Sequence, residues 1–240
     1  MSTEPPTPGP SEKIALGGSK LISETEDMRR MEIVPVSQSE FAQFDHLHNH
    51  GPLDDKISRS MLTGSRVTVM GWDTPCIGLN LNGNLISINV TNIHKRRKNA
   101  WGRYINVYLA YTLPDYRYKG YASRLITHLE ETAIAGGCNR LKSLAGSWAG
   151  VRLHMHFGHT FWGIAKTGEI VVDSPLAPGM KFPDGIPEDV RNRTVEPAHI
   201  LTQSELYKIL LTSERFKDSV EKEEKDLVEI LDGYFERMRR

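Results

Sequence analysis

Hydrophobic and polar positions alternate in short runs through the first two thirds of the chain and then change period. Met31-Glu-Ile-Val-Pro-Val36 predicts a first strand. Ser37-Gln-Ser-Glu40 has capping-box spacing and predicts a helix carrying Phe41 and Phe44, with further helical turns to Leu62. Strands are predicted over 66–71, 76–82 and 84–90, the last two joined by a hairpin turn at Asn82-Gly83-Asn84. The β-branched and aromatic run from Tyr104 to Thr112 predicts another strand, closed by Leu113-Pro114. An amphipathic helix over 123–133 follows, then a strand over 140–144 after Gly136-Gly137, and a helix ending near Gly158. The runs 161–165 and 169–172 read as a hairpin around Thr167-Gly168. Strands and helices mix throughout, so the expected class is α/β.

The ends differ from this middle. Residues 1–28 are rich in Pro, Gly, Ser and Glu, too poor in apolar surface to offset ordering entropy, and predict a disordered arm. One folded unit is expected over 29–176, with an extension over 177–240 that begins as a proline-rich, charged loop, already starting near Asp173 and running to about Pro197. Phe216, Val220, Leu227, Leu231, Tyr234 and Met238 then recur at helical spacing. This periodicity reports a buried face but not the surface that buries it. The tail therefore packs on its own domain, or docks a second copy as a homodimer or another partner.

Composition narrows the classes. The chain has 240 residues, 39% of them hydrophobic, and a formal net charge of +0, which argues against strong global attraction to nucleic acid but leaves room for a local basic patch. No apolar run approaches the ~20 residues needed to span a bilayer, and the N-terminus lacks the apolar core of a signal peptide, so no membrane role is expected. Cys76 and Cys138 form neither a disulfide framework nor a ligand cluster, and a cytoplasmic setting is the default. No metal is expected.

The segment Pro114-Asp-Tyr-Arg-Tyr-Lys-Gly-Tyr-Ala122 follows a predicted strand and opens a predicted helix. Such a loop aims several backbone N–H groups at one point, where the helix dipole favours an anionic phosphate. Arg117-x-x-Gly120-x-Ala122 resembles the pyrophosphate-binding loop of the GNAT superfamily of acyl-CoA N-acyltransferases. A second stretch, Ser147-Trp-Ala-Gly150-Val-Arg-Leu153-His154-Met-His-Phe157-Gly158-His159, keeps the spacing of that family's Asn-x-x-Ala-x-x-Leu-Tyr-x-x-x-Gly-Phe helix. Ser147 stands for the Asn, Gly150 for the Ala, His154 for the Tyr and His159 for the Phe.

The resemblance covers about residues 30 to 173. It implies a GNAT-type mixed central sheet flanked by helices, splayed so that the arm of acetyl-CoA inserts between two strands. It implies that Arg117, Tyr118, Lys119, Gly120, Tyr121 and Ala122 hold the pyrophosphate, with Ser123 opening the helix. Tyr111, Thr112 and Leu113 would lie near the acyl group, Ser147 would bond a CoA amide or cap its helix, and His154 would protonate the departing thiolate. A histidine titrates near pH 6.5, which suits that task; the other reading of His154 is a helix-face residue bonded to a backbone group.

Acetyl transfer from a thioester to an amine requires a neutral amine, a polarised carbonyl and a proton source for the thiolate. The strand carries no Glu or Asp as a base, so deprotonation would pass through water or a histidine from elsewhere, with His46, His48 and His50 as candidates. Their spacing suits a metal only poorly and no other ligand completes a set.

For the acceptor, Lys95, Arg96, Arg97 and Lys98 with Trp101 join charge to an aromatic ring, as a nucleic-acid contact would, although a solvated turn has the same composition. The segment 158–176 also looks like bacteriophage relatives that acetylate an aminomethyl group on a thymine-derived base, 5-aminomethyl-deoxyuridine, protecting phage DNA from host restriction; the setting would then be host cytoplasm. Mom-type adenine modification, a polyamine or protein amine acceptor, and a non-catalytic interaction module remain as alternatives.

Overall fold

The computed structural model describes residues 31–37, 39–41, 76–94, 102–176, 185–195, 198–221 and 226–239. The strands predicted over 66–71, the helical turns to Leu62, Phe44, the arm 1–28, His46, His48, His50, Lys95, Arg96, Arg97, Lys98 and Trp101 lie outside the described residues.

Seven strands form one sheet: β1 (Met31–Pro35), β2 (Cys76–Leu81), β3 (Asn84–His94), β4 (Tyr104–Thr112), β5 (Arg140–Ala145), β6 (Phe161–Ile164) and β7 (Ile170–Pro175), in the spatial order β1-β2-β3-β4-β5-β7-β6. Every neighbouring pair is antiparallel except β4 and β5. That parallel pair needs a crossover, and helix α1 (Tyr121–Ala135) supplies it. The β2–β3 turn has Asn82 at φ 53° and Gly83 at φ 84°, the two left-handed residues of a type I′ hairpin.

Further helices among the described residues are α2 (Trp148–His156), α3 (Glu188–Arg191), α4 (Gln203–Thr212), α5 (Glu214–Glu221) and α6 (Leu227–Arg239). On one face of the sheet, Leu125, Ile126, Leu129 and Ala133 of α1 pack on Ile77, Leu79, Ile105, Val107 and Leu141. On the same face Ala145, Ile170 and Val172 meet Trp148, Val151 and Met155 of α2 and then Leu206, Leu210, Phe216, Val220, Leu227, Leu231 and Tyr234 of the extension. Each of these large side chains stabilises the fold by ~1.5–3 kcal/mol through burial. The tail's apolar stripe thus covers its own domain.

The tail's apolar stripe falls on α5 and α6, with residues 222–225 between them outside the described set. Two expectations change here. Helix α4 falls where no element was expected; Thr202 caps it, its hydroxyl and backbone N–H exchanging hydrogen bonds with the Glu205 backbone and carboxylate. Asp173 begins no loop. It lies inside β7, fully buried, with its carboxylate gripped by the Arg140 guanidinium (Nε to Oδ1 2.9 Å, and Nη2 to Oδ2) and Lys142 Nζ at 3.9 Å. Burial pushes that carboxyl up, and the Arg140 contact opposes the shift.

Candidate active site

The site begins where a ladder stops. β4 and β5 pair only from Tyr104–Arg140 to Val107–Ser143. Ser143 Oγ closes the last rung by donating to the Val107 carbonyl at 3.1 Å. At the same level β4 bulges: Val90 of β3 faces Leu109 and Thr91 faces Val107, so Tyr108 has no β3 partner. The bulge bends β4 away from β5. Residues 108–112 therefore leave the parallel ladder and open a wedge between the two strands.

Alternate amides of this free stretch point in opposite directions. The Leu113 N–H donates to the Ile86 carbonyl at 2.9 Å, on the β3 side. Its strand neighbours in the other register, Ala110 and Thr112, turn their amides toward the wedge. Ser87 Oγ reaches the Tyr111 carbonyl at 3.0 Å and the Thr112 hydroxyl at 2.8 Å. The face that α1 otherwise covers with aliphatic side chains carries a buried polar row here, Ser87, Asn89 and Thr91. Both amide atoms of Asn89 lack a hydrogen-bond partner among the described residues. A buried orphan of this kind costs ~1–3 kcal/mol until something pairs with it.

Beyond Thr112 the chain makes a short 3-10 turn, Pro114–Tyr116, and enters the loop. Arg117 folds back, donating Nε–H to the Thr112 carbonyl at 3.1 Å with its guanidinium 5.4 Å over the Tyr111 ring. Tyr111 thereby belongs to the apolar cluster of Ile88, Val90 and Leu109 on the far face of the sheet. Lys119 Nζ donates to the Asp115 carbonyl at 2.8 Å. Tyr118 takes φ 62° and Gly120 φ 81°, two left-handed residues within three positions. This turns the chain so that Gly120 becomes the N-cap of α1 with no side chain to satisfy its first amides. A Cβ at Gly120 would meet nothing within 4 Å. Tyr121 is buried against α1's own core, while Ala122 and Ser123 are half-buried in the first turn. The helix mouth is consequently an open, amide-lined anion seat.

Across the wedge, Ser147 is the N-cap of α2, its Oγ accepting the Gly150 N–H at 3.2 Å. His154 is buried on the same helix. Its Nδ1 lies 2.8 Å from Nδ1 of His159, whose Nε2 lies 2.7 Å from Oε1 of Glu130 on α1. Burial, and next the neighbouring His159, hold the His154 imidazole well below the ordinary histidine range. It is neutral at pH 7. A neutral ring can still take or give a proton, but a standing imidazolium donor is not what this histidine offers.

Sequence reasoning missed Arg152, whose guanidinium approaches the rings of Tyr118 and Trp148 at 5.8 and 5.9 Å and bridges the loop before α1 to α2. It also missed Glu130, Asn89 and Ser143. Among the described residues no group of three or more His, Cys, Asp or Glu could hold a metal ion, and no helix is long and apolar enough to cross a membrane. Cys76 and Cys138 are buried thiols in no disulfide, their pKa values raised by desolvation, so neither is a thiolate nucleophile.

A wedge between parallel strands beside an amide-lined helix mouth fits a nucleotide diphosphate with a long amide-bearing arm, the shape of an acyl-CoA. The residues present fit that group: Gly120 leaves the seat open, and Asn89 has hydrogen bonds to give. Residues 42–159 match the model of the acetyltransferase (GNAT) family. That stretch, 118 of the chain's 240 residues, is similar to N-acetyltransferases of this family.

Among solved structures the chain is similar to a component of the NatC complex bound to Gag peptide and CoA, at 14% identity and a TM-score of 0.49, covering 62% of this chain and 99% of that one. It is similar to the ribosomal-protein-S18-alanine N-acetyltransferase from Escherichia coli, at 16% identity and 0.45, covering 63% and 99%. It is also similar to yncA, a putative acetyltransferase from Salmonella typhimurium with its cofactor acetyl-CoA, at 15% and 0.46, covering 65% and 99%. No curated protein matches the chain.

Proposed function

We propose that the amides at the mouth of α1 hold the pyrophosphate of acetyl-CoA, that its pantetheine arm runs along Ala110 and Thr112 as an added strand, and that its thioester meets the acceptor amine at the Tyr108 bulge. The β4–β5 wedge is the observation that carries this reading. An arm pairing with Ala110 and Thr112 satisfies backbone groups that β5 leaves open, in the manner of strand addition. The amine attacks the thioester carbonyl, the C–N bond forms, the C–S bond breaks, and His154 exchanges the proton between nitrogen and sulfur.

The acceptor we propose is a primary amine on DNA, an aminomethyl group on a modified thymine such as 5-aminomethyl-deoxyuridine in phage DNA. Its acetylation would mask the base from host restriction. Two features support it. The basic and aromatic run Lys95–Lys98 with Trp101 joins β3 to the start of β4, whereas the phosphate loop leaves the end of β4. From Tyr104 to the Tyr108 bulge is ~13 Å of strand at ~3.3 Å per residue. A duplex held by that run would bring a group projecting into its major groove toward the face of the wedge opposite the cofactor's phosphates.

The test is acceptor competition. DNA containing aminomethylated thymine, spermidine and short peptides are each incubated with acetyl-CoA, and free thiol and digested nucleosides are measured, the latter by mass spectrometry. An acetylated nucleoside is the expected product. Thiol release with spermidine or peptide alone would replace the acceptor while leaving the acetyltransferase intact. Neutralising Lys95, Arg96, Arg97 and Lys98 together is expected to weaken DNA binding and to shallow its salt dependence by ~0.9 per lost phosphate contact. An unchanged salt slope would remove DNA from the account.

A further inference from the structure

We propose that Glu130 and His159 store the transferred proton for His154, so that one buried histidine acts as base toward the amine and then as acid toward the thiolate. The proposal rests on the reading that His154 faces the reacting atoms. It does not rest on the identity of the acceptor.

The three side chains come from both walls of the site: Glu130 from α1, His154 from α2, and His159 from the turn after it. Their contacts form an unbranched chain, carboxylate to His159 Nε2 at 2.7 Å and His159 Nδ1 to His154 Nδ1 at 2.8 Å. His159 has little freedom to leave it. Its ring stacks on Phe157 at 5.6 Å and 19°, its N–H donates to the His154 carbonyl at 3.0 Å, and its own carbonyl accepts the Tyr234 hydroxyl of α6 at 2.6 Å. Other ionisable groups around the chain are His156, edge-on to Phe157, and Tyr234 and Arg237 on α6. Among the described residues, only Glu130 brings a negative charge to the rings by direct contact.

While both rings are neutral, this arrangement fixes the tautomers. A carboxylate accepts only, so His159 carries a proton on Nε2. With both rings neutral, His159 Nδ1 is then an acceptor and His154 must donate Nδ1–H to it. The free Nε2 of His154 is left with a lone pair, a base. When the amine nitrogen forms its bond to the thioester carbon, its proton passes to His154 Nε2, and the Nδ1 proton of His154 crosses to Nδ1 of His159. The positive charge then sits on His159 beside the Glu130 carboxylate, not on the desolvated ring of His154. As the C–S electron pair departs with sulfur, both protons step back and His154 Nε2 delivers one to the thiolate. The amine has lost one proton, the thiol has gained it, and the chain has returned to its starting state.

Glu130 and His159 are thus positioning residues whose charge supports a catalytic one. This also answers the lack of an acidic base on β4.

The experiment combines spectroscopy and kinetics on the full chain. With its nine histidines labelled with 15N, the wild-type protein is expected to show a coupling across the Nδ1–H···Nδ1 hydrogen bond of His154 and His159, and Glu130→Gln is expected to shift the tautomer signals of both rings. Glu130 is on the half-open side of the pair, with a side chain 19% exposed, so the isosteric amide leaves the fold in place. Glu130→Gln and His159→Asn are each expected to lower kcat by ~10- to 100-fold, with KM for acetyl-CoA changed less than ~3-fold, and Glu130→Asp to recover part of the loss. The acidic limb of the kcat profile should move in Glu130→Gln.

Absence of the coupling overturns the proposal. So does wild-type kcat with an unmoved pH profile in Glu130→Gln while His154→Ala is slow. A His154→Ala variant at full rate would bring down the reading beneath it as well.

Discussion

Gly120→Glu is expected to lower affinity for CoA by at least ~100-fold. Two costs combine. A residue with a Cβ at φ 81° is strained by roughly 1–2 kcal/mol. The new carboxylate also stands beside the seat for a diphosphate, where like charges ~4 Å apart repel by about 4 kcal/mol at an effective dielectric of 20. Even half of that repulsion brings the sum to ~3 kcal/mol, which is ~100-fold. The position is a clean probe because an added Cβ touches no protein atom within 4 Å. Gly120→Ala carries the strain without the charge, and is expected to lose ~10-fold or less. Calorimetric titration with CoA checks both. Equal affinities for the wild type and the glutamate variant would remove the phosphate from this loop.

His154→Ala is expected to lower kcat by ~100- to 10,000-fold while leaving the affinity for acetyl-CoA within a few-fold of the wild type, because its interaction is made with a proton in flight and not with the bound cofactor. The same change leaves His159 Nδ1 buried without its partner and should cost ~1–3 kcal/mol of stability. Rates are therefore compared well below the melting midpoint of the variant. A wild-type rate would return His154 to a packing role, with His159 as its hydrogen-bond partner.

What the sequence disclosed was local. The Asn82-Gly83 turn, the β-branched run of β4 and the Gly120 loop each carry their signal within a few residues, because left-handed backbone and strand preference are properties of neighbours in the chain. The bounds of β4, 104–112, were read directly, as was the capping box at Ser37 and Glu40, whose reciprocal hydrogen bonds are present at 2.8 and 3.3 Å. The capping box of α4, Thr202 to Glu205, was equally legible but went unread inside a segment dominated by proline and charge. The tail's periodicity correctly reported a buried face, and only packing revealed that the domain itself buries it.

The site was legible on one side alone. The bulge at Tyr108 depends on the register between β3 and β4, and the wedge depends on where β5 stops pairing, neither of which leaves a mark in a single segment. Glu130 and His159 lie 29 residues apart and meet only because α1 and α2 share a face of the sheet. Leu113 was expected beside the acyl group through its backbone. Its amide instead donates to Ile86 of β3, and the alternation of the strand turns the amides of Ala110 and Thr112 toward the wedge.

The central claim is that acyl-CoA occupies the helix mouth and the wedge together, and backbone amide exchange reads both at once. Adding CoA to the wild-type chain is predicted to slow exchange at Tyr121, Ala122 and Ser123 and at Ala110 and Thr112, with no such protection in Gly120→Glu. Exchange at those five amides unaltered by saturating CoA would contradict the account.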